Sequence, residues 1–426
     1  MRLVCLFIFF IFSLNAADWV TLQGTESKVS HIPWGFFQVR AQHNDSQIIK
    51  KNGFNKTPFA YIKPTLENQS ELQVARARIG IRGSLTDDNK INYFTLGEVA
   101  PNGVNNPLGY QTHNYLMDAS LTFKYLPIYI RVGRFKYSGS EEGNMARFAS
   151  PLIMFSTVGN NLMLERFIKT SKSDIVVGDS YTSEPSHGVG AYRDSGIQFF
   201  KAIEINEKSS LTLSYMIGNG SGLANENLNN NHFTHYGFAS YENLFGEGKG
   251  YRTESLKLYS WYQTGKRQLY SDGESHLYDR IRYGMGVTYF HDKLRLEAEY
   301  MKGEGMIMTG VKDVNTNENE ETWQYNMKAP VENVANGYYL LSSYELYNHF
   351  EVIARYDEYK RMKNSDIDYR EFKTLTMGLS YIFNGYDRLD VNYALNEGKA
   401  PYNSTANSIL KSMGDLIGIQ YTMVIK

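Results

Sequence analysis

Apolar and polar residues alternate with a period of two over much of the chain, in segments of about ten residues. Ile417, Ile419, Tyr421, Met423 and Ile425 share one face, and Gly418, Gln420, Thr422, Val424 and Lys426 take the other. Leu375, Met377, Leu379, Tyr381 and Phe383 alternate with Thr374, Thr376, Gly378, Ser380 and Ile382. The same pattern sets Leu389, Val391, Tyr393 and Leu395 against Arg388, Asp390, Asn392 and Ala394, and Met117, Ala119, Leu121, Phe123 and Tyr125 against Asp118, Ser120, Thr122 and Lys124. Each segment predicts a strand with one apolar and one polar face. Tyr125, Tyr289, Tyr300, Tyr356, Tyr381, Phe383 and Tyr421 stand at strand ends, where amphipathic rings suit the headgroup layers of a membrane.

The connections alternate in length as well. Tight turns are expected at Thr86–Asn89, Leu126–Pro127, Asn206–Lys208, His291–Lys293, Tyr347–His349 and Asn384–Asp387. Long polar stretches lie between them, at 44–71, 99–114, 138–193, 218–235, 303–334, 362–370 and 397–412. Short turns on one side and long loops on the other are the pattern of a bacterial outer-membrane barrel. A first count gives fifteen strands, and such barrels have even numbers. Reading Tyr236–Leu244 as a descending strand, Gly246–Gly250 as a short turn, Thr253–Gln263 as a rising strand and 264–279 as an outer loop brings the count to sixteen. The prediction is all-β: a transmembrane antiparallel β-barrel of about sixteen strands, with short periplasmic turns and long extracellular loops.

Composition supports this reading. The chain has 426 residues, is 14% aromatic and has a mean hydropathy of -0.43. After the first fifteen residues no apolar run is long enough to cross a bilayer as a helix. Met1-Arg2, the apolar stretch Leu3–Leu14 and Asn15-Ala16-Ala17 read as a secretory signal peptide over 1–17, leaving 18–426 as a single barrel domain in the outer membrane of a Gram-negative bacterium. Cys5 is the one cysteine and leaves with that segment, so backbone ladders must replace disulfides. With 44 basic against 45 acidic residues, the charge argues against a nucleic-acid partner.

Candidate chemistry is sparse. No GxSxG, HExxH, P-loop or CxxC occurs, and the His residues are scattered, so the chain does not read as an enzyme. Asp313–Glu321 spaces Asp and Asn as a calcium loop would, but Glu318 stands at the sharp-turn position and Gln324 at the bidentate position. A solvated acidic loop fits better. The polar strand faces are more informative. Arg40, Arg76, Arg78, Arg82, Lys124, Arg131, Arg282, Arg295, Arg355 and Arg388 are expected to face the lumen, opposed by Asp118, Glu297, Glu299, Glu351, Asp357 and Asp390. A barrel of sixteen strands leaves room for an aqueous channel, and fixed positive charge would bias it toward anions. Arg134 and Lys136 fall on the lipid-facing parity, and a bulge at Gly133 would re-aim them.

The chain resembles the phosphate-selective porin O and P family in ARARIGIRGSLTDDNKINYF (75–94), MDASLTFKYLPIYIRVGRFK (117–136), MLERFI (163–168), RDSGIQF (193–199), MIGNGSG (216–222), LEAEYMKGEG (296–305), FEVIARYDEY (350–359) and TLTMGLSYIFNGYDRLDVNYALN (374–396). The resemblance implies a sixteen-stranded barrel, usually a homotrimer, conducting small anions through a constriction of infolded loops. The matching loop is 138–193, with Arg147, Arg166, Lys169 and Lys172 standing near Glu141, Glu142, Glu165 and Asp174. Phosphate selectivity in that family goes with a strongly basic pore, whereas this chain carries a small acidic excess; outer-membrane strands also commonly finish on an aromatic that assists assembly, whereas this chain ends Val424-Ile425-Lys426. The expected function is passive diffusion of small hydrophilic solutes with a modest preference for anions such as phosphate. It needs no cofactor, and the expected surroundings are outer-membrane lipid and lipopolysaccharide. The competing expectation is a structural or adhesive barrel acting through its long surface loops while the lumen stays plugged.

Overall fold

A computed structural model describes residues 28–425, apart from 47–48, 52–53, 57–69, 101–114, 165–175, 178–179, 184–191, 224–231, 247–251, 272–273, 312–324 and the single positions 348, 386 and 412. Sixteen antiparallel strands close into one barrel. They are β1 (Ile32–Asn44), β2 (Ser70–Ser84), β3 (Ile91–Glu98), β4 (Tyr115–Phe123), β5 (Tyr129–Lys136), β6 (Arg193–Asn206), β7 (Ser209–Gly218) and β8 (Thr234–Leu244). The second half comprises β9 (Ser255–Ser271), β10 (Glu274–His291), β11 (Leu294–Glu304), β12 (Val334–Tyr347), β13 (Phe350–Arg361), β14 (Arg370–Asn384), β15 (Asp387–Lys399) and β16 (Leu416–Ile425). Each strand pairs with its neighbours in sequence, and β1 pairs with β16 from Gly35↔Ile425 to Asn44↔Leu416 to close the wall. Closure satisfies every strand edge, which a bilayer without water requires.

Alternation decides which face meets lipid. Leu375, Met377, Leu379 and Phe383 on β14 are exposed, as are Ile417, Ile419, Tyr421 and Met423 on β16, while Thr374, Thr376, Gln420 and Thr422 between them are buried inside. The tight turns use residues that tolerate a left-handed backbone: Asn89 at φ 57° between β2 and β3, and Asp292 at φ 52° between β10 and β11.

Three expectations are corrected. Residues 264–279 are not a loop, because β9 and β10 stay paired as one long hairpin out to Ser271↔Glu274. Met117 does not face lipid. The β3–β4 register shifts between Leu96↔Asp118 and Gly97↔Leu116, and this bulge turns both Met117 and Asp118 inward, where each is fully buried. The bulge expected at Gly133 is absent: β5 keeps unbroken register with β4 and β6, although Gly133 itself takes φ 120°. Arg134 therefore stays on the outer face, donating from Nε to Ser195 Oγ and from Nη1 to the Leu116 carbonyl.

On the outer side, Ile307–Val311, Tyr325–Lys328, Ser180–Ser183 and Val176–Val177 form a small antiparallel sheet from two different loops. No helix among the described residues is long and apolar enough to cross a membrane.

Candidate functional site: a loop folded into the lumen

The connection from β5 to β6 turns back into the barrel. Its first part, 137–164, carries two short helices, α1 (Glu141–Asn144) and α2 (Thr157–Leu162). The sequence explains the direction: Leu152, Ile153, Val158, Leu162 and Met163 are apolar and would be exposed in an outer loop. Inside, all five are at most 3% exposed, and Leu152, Val158, Leu162 and Met163 join a cluster with Met301, Tyr339, Tyr359 and Phe372 from the wall. Gly143 lets the Tyr192 ring lie against α1; a Cβ there would come within 2.0 Å of that ring.

Wall charges hold both helices at the ends that match their dipoles. Carboxylates meet the N-termini. Glu299 accepts from the Glu141 amide and Ser140 Oγ at 3.2 and 3.0 Å, and Asp357 accepts from the Thr157 amide at 2.8 Å. Cations meet the C-termini. Lys136 Nζ donates to the carbonyls of Gly143, Asn144 and Met145, and Arg282 donates to the Leu162 carbonyl. This is the favourable arrangement for orphan amides and carbonyls at helix ends. Glu142, on α1, ties the two halves of the loop together. It accepts from the Ser156 amide and Oγ at 2.6 Å each, and from Arg355 Nη1 at 2.9 Å. Arg355 also donates to the carbonyls of Met154 and Phe155.

Arg40, Arg76, Arg78, Arg131, Arg282, Arg295, Arg355 and Arg388 all stand on the inner wall and are at most 7% exposed. Arg82 is half-buried at the periplasmic end, its guanidinium 5.7 Å from the Trp34 ring centroid. Lys124 is a correction: it sits one residue past β4, in the periplasmic turn rather than on the wall, because pairing stops at Ile91↔Phe123. Arg166, Lys169 and Lys172 lie outside the described residues.

Burial divides the arginines by partner. Arg78 pairs with Glu98 at 2.7 Å, Arg388 with Asp390 at 3.0 Å, and Arg355 with Glu142. Arg282 is held instead by carbonyls, those of Leu162, Ile281, Glu304, Gly305 and Met306. It therefore acts as a staple for two loops. Arg40, Arg76 and Arg147 form a third set, near one another where β1 and β2 meet the loop. Arg40 donates to Gln420 and the Ile153 carbonyl, Arg76 to Gln38, and Arg147 to the carbonyls of Leu152 and Ile153. Among the described residues none of the three has an acidic partner within ion-pair distance. The Nε donors of Arg76 and Arg147 are buried without a hydrogen-bond partner.

Several buried charges escaped the sequence reading. Arg193 pairs with Asp118 at 2.8 Å. Arg280, Arg361 and Arg370 are at most 2% exposed on the inner wall. Parity would have found Arg280 beside Arg282 and Arg361 beside Arg355. Glu98 was hidden because β3 turns its apolar residues Phe94 and Leu96 inward, toward Trp34 and the loop. No group of three or more His, Cys, Asp or Glu among the described residues could hold a metal ion.

Asp357 is a test of the clamp. Asp357→Ala leaves the Thr157 amide and Arg355 short of a buried carboxylate, and breaking a buried ion pair costs about 3–5 kcal/mol. Asp357→Asn keeps an acceptor for the amide and is expected to cost less. Urea unfolding in detergent should rank wild type above Asn above Ala; equal midpoints would show that the clamp carries no stability.

No family model matches the chain, and no curated protein matches it. Solved structures do. A Salmonella typhi OmpF superposes with a TM-score of 0.54 at 15% identity, covering 93% of this chain and 97% of that one. An anion-selective porin from Comamonas acidovorans gives 0.52 at 12% identity, over 93% and 99% of the two chains. The outer-membrane channel DcaP of Acinetobacter baumannii gives 0.52 at 11%, over 94% and 99%. The fold is that of the outer-membrane porins. At these identities the likeness is one of architecture, and the residues of the lumen must carry any statement about solutes.

Proposed function

We propose that this porin-fold barrel is an outer-membrane channel for passive diffusion of small hydrophilic solutes, with a preference for inorganic anions. It sits as a trimer among outer-membrane lipid and lipopolysaccharide. The observation that carries the reading is the set Arg40, Arg76 and Arg147. Their donors meet amide and carbonyl oxygens, which satisfy hydrogen bonds without cancelling charge. A positive potential that nearby carboxylates balance only in part raises the local concentration of anions in a low-dielectric wall. The anion-selective Comamonas porin of the same fold agrees with this reading. Phosphate is the finer expectation, since planar guanidinium groups bind its oxygens in a bidentate fork.

A second reading keeps the lumen plugged and assigns the work to the surface loops. It is favoured by the narrowness of the cavity beside Met154, Phe155 and Arg355, about 30 Å³, room for only a few waters. Planar-bilayer recording separates the two. The channel reading expects steady chloride current that falls when millimolar phosphate is added. Current unaffected by phosphate would leave a general anion pore, and no current under any voltage would favour the plugged barrel.

A further inference from the structure

The outward face of β11–β15 carries charge near its outer end. Cross-strand pairing sets Lys302, Asn336, Lys360, Glu371 and Lys399 in one row across these five strands. The row two residues nearer the periplasm holds Tyr300, Tyr338, Glu358, Lys373 and Glu397. One step further down, the same wall exposes Leu340, Leu375 and Leu395. Rings and charges directly above an apolar band mark the level of the lipid headgroups.

The lysines of this patch are held in place. Lys302 Nζ meets Glu304 at 2.8 Å and lies 5.5 Å from the Tyr283 ring centroid. The Tyr283 hydroxyl donates to the same Glu304 oxygen at 3.1 Å. Lys360 meets Glu358, which also accepts from the Tyr356 hydroxyl at 3.4 Å, and Lys399 meets Glu397 at 2.6 Å. The three lysine side chains are nevertheless 31%, 31% and 50% exposed. An ammonium has three N–H donors, more than one carboxylate takes up. Exposed ion pairs contribute little to folding, so three of them along one rim are better explained by what they face.

We propose that this patch binds the phosphorylated sugar headgroup of outer-leaflet lipopolysaccharide. The proposal rests on the lipopolysaccharide surroundings given above and does not depend on anion conduction. Lysines on alternate strands of the row stand about 10 Å apart, so a headgroup with phosphates on two sugars can meet two ammoniums at once. Side chains that are already held lose little freedom on binding. Headgroup phosphates carry divalent counterions, and carboxylate oxygens suit such ions. The alternation of Lys and Glu therefore matches a lattice of phosphate and cation, while Tyr300 and Tyr338 lie at the boundary with the acyl chains.

Titration of the refolded full barrel in detergent with purified lipid A, read by native mass spectrometry, tests this. Wild type is expected to bind in magnesium and to weaken in EDTA. The triple variant Lys302→Gln, Lys360→Gln, Lys399→Gln is expected to bind roughly tenfold more weakly, while Lys208→Gln in the periplasmic turn between β6 and β7 binds as wild type. The triple variant keeps the barrel ladder, because all three side chains point outward. Equal binding by the triple variant would overturn the patch alone. Equal binding of dephosphorylated lipid A, or binding that EDTA leaves unchanged or strengthens, would overturn recognition of phosphate and its cations. Displacement of lipid A by millimolar inorganic phosphate would make this a free-phosphate site and would overturn the lipid assignment. A wild type that binds no lipid A would overturn the lipopolysaccharide surroundings as well.

Discussion

Replacing Glu142 with alanine is expected to raise single-channel conductance and to make the current fluctuate between levels. Glu142 lies on the loop, so its loss leaves the barrel ladder intact. It holds Ser156 at the start of α2 and meets Arg355 on the wall, joining both halves of the loop to β13. Removing one partner of such a buried pair costs about 3–5 kcal/mol, which at 1.4 kcal/mol per decade shifts the loop's equilibrium by roughly 10²- to 4 × 10³-fold toward released states. Arg355→Ala should act in the same direction, because it also frees the carbonyls of Met154 and Phe155. Single-channel recordings of both variants check the prediction. Unchanged, noise-free conductance in both would mean that the loop does not limit the path.

Neutralising Arg40, Arg76 and Arg147 together to glutamine is expected to abolish anion preference while leaving the barrel assembled. Glutamine can still donate to Gln420, Gln38 and the loop carbonyls, so the hydrogen bonds that position the loop are partly kept. Like charges near one another in a buried site repel, and relief of that repulsion offsets part of the lost contacts. The same triple change at Arg78, Arg193 and Arg388 breaks three buried ion pairs and leaves each carboxylate without its partner. It should lower stability. The contrast between the two triples separates charge that acts on solutes from charge that holds the protein together.

Period-two alternation made the fold legible. It placed nearly every wall residue correctly, from Gln420 and Thr422 on β16 to Arg355 and Asp357 on β13, because one face of each strand must be apolar. It failed where the period itself breaks. The β4 bulge moved Met117 inside, and nothing in MDASLTF signals which residue will be doubled. The hairpin of β9 and β10 rises past the membrane, so its outer part is polar and reads as a loop. Arginine positions were legible, but their partners were not. Strand parity says that Arg282 points inward; it cannot say that the carbonyls of Leu162, Gly305 and Met306, from two loops, will meet it there. The helix-end clamps depend on residues far apart in sequence, such as Glu299 with Glu141 and Asp357 with Thr157. Such contacts follow from how the loop enters the barrel, which local pattern does not encode.

Anion selection in this channel would rest on the arginine charge of Arg40, Arg76 and Arg147 in the lumen. Reversal potential across a planar bilayer under a potassium chloride gradient tests it most directly, using the refolded wild-type barrel. The expected potential is displaced toward the chloride equilibrium value, and the displacement is lost in the Arg40, Arg76 and Arg147 triple variant. A wild-type potential at zero or on the potassium side, in a channel that conducts, would contradict it.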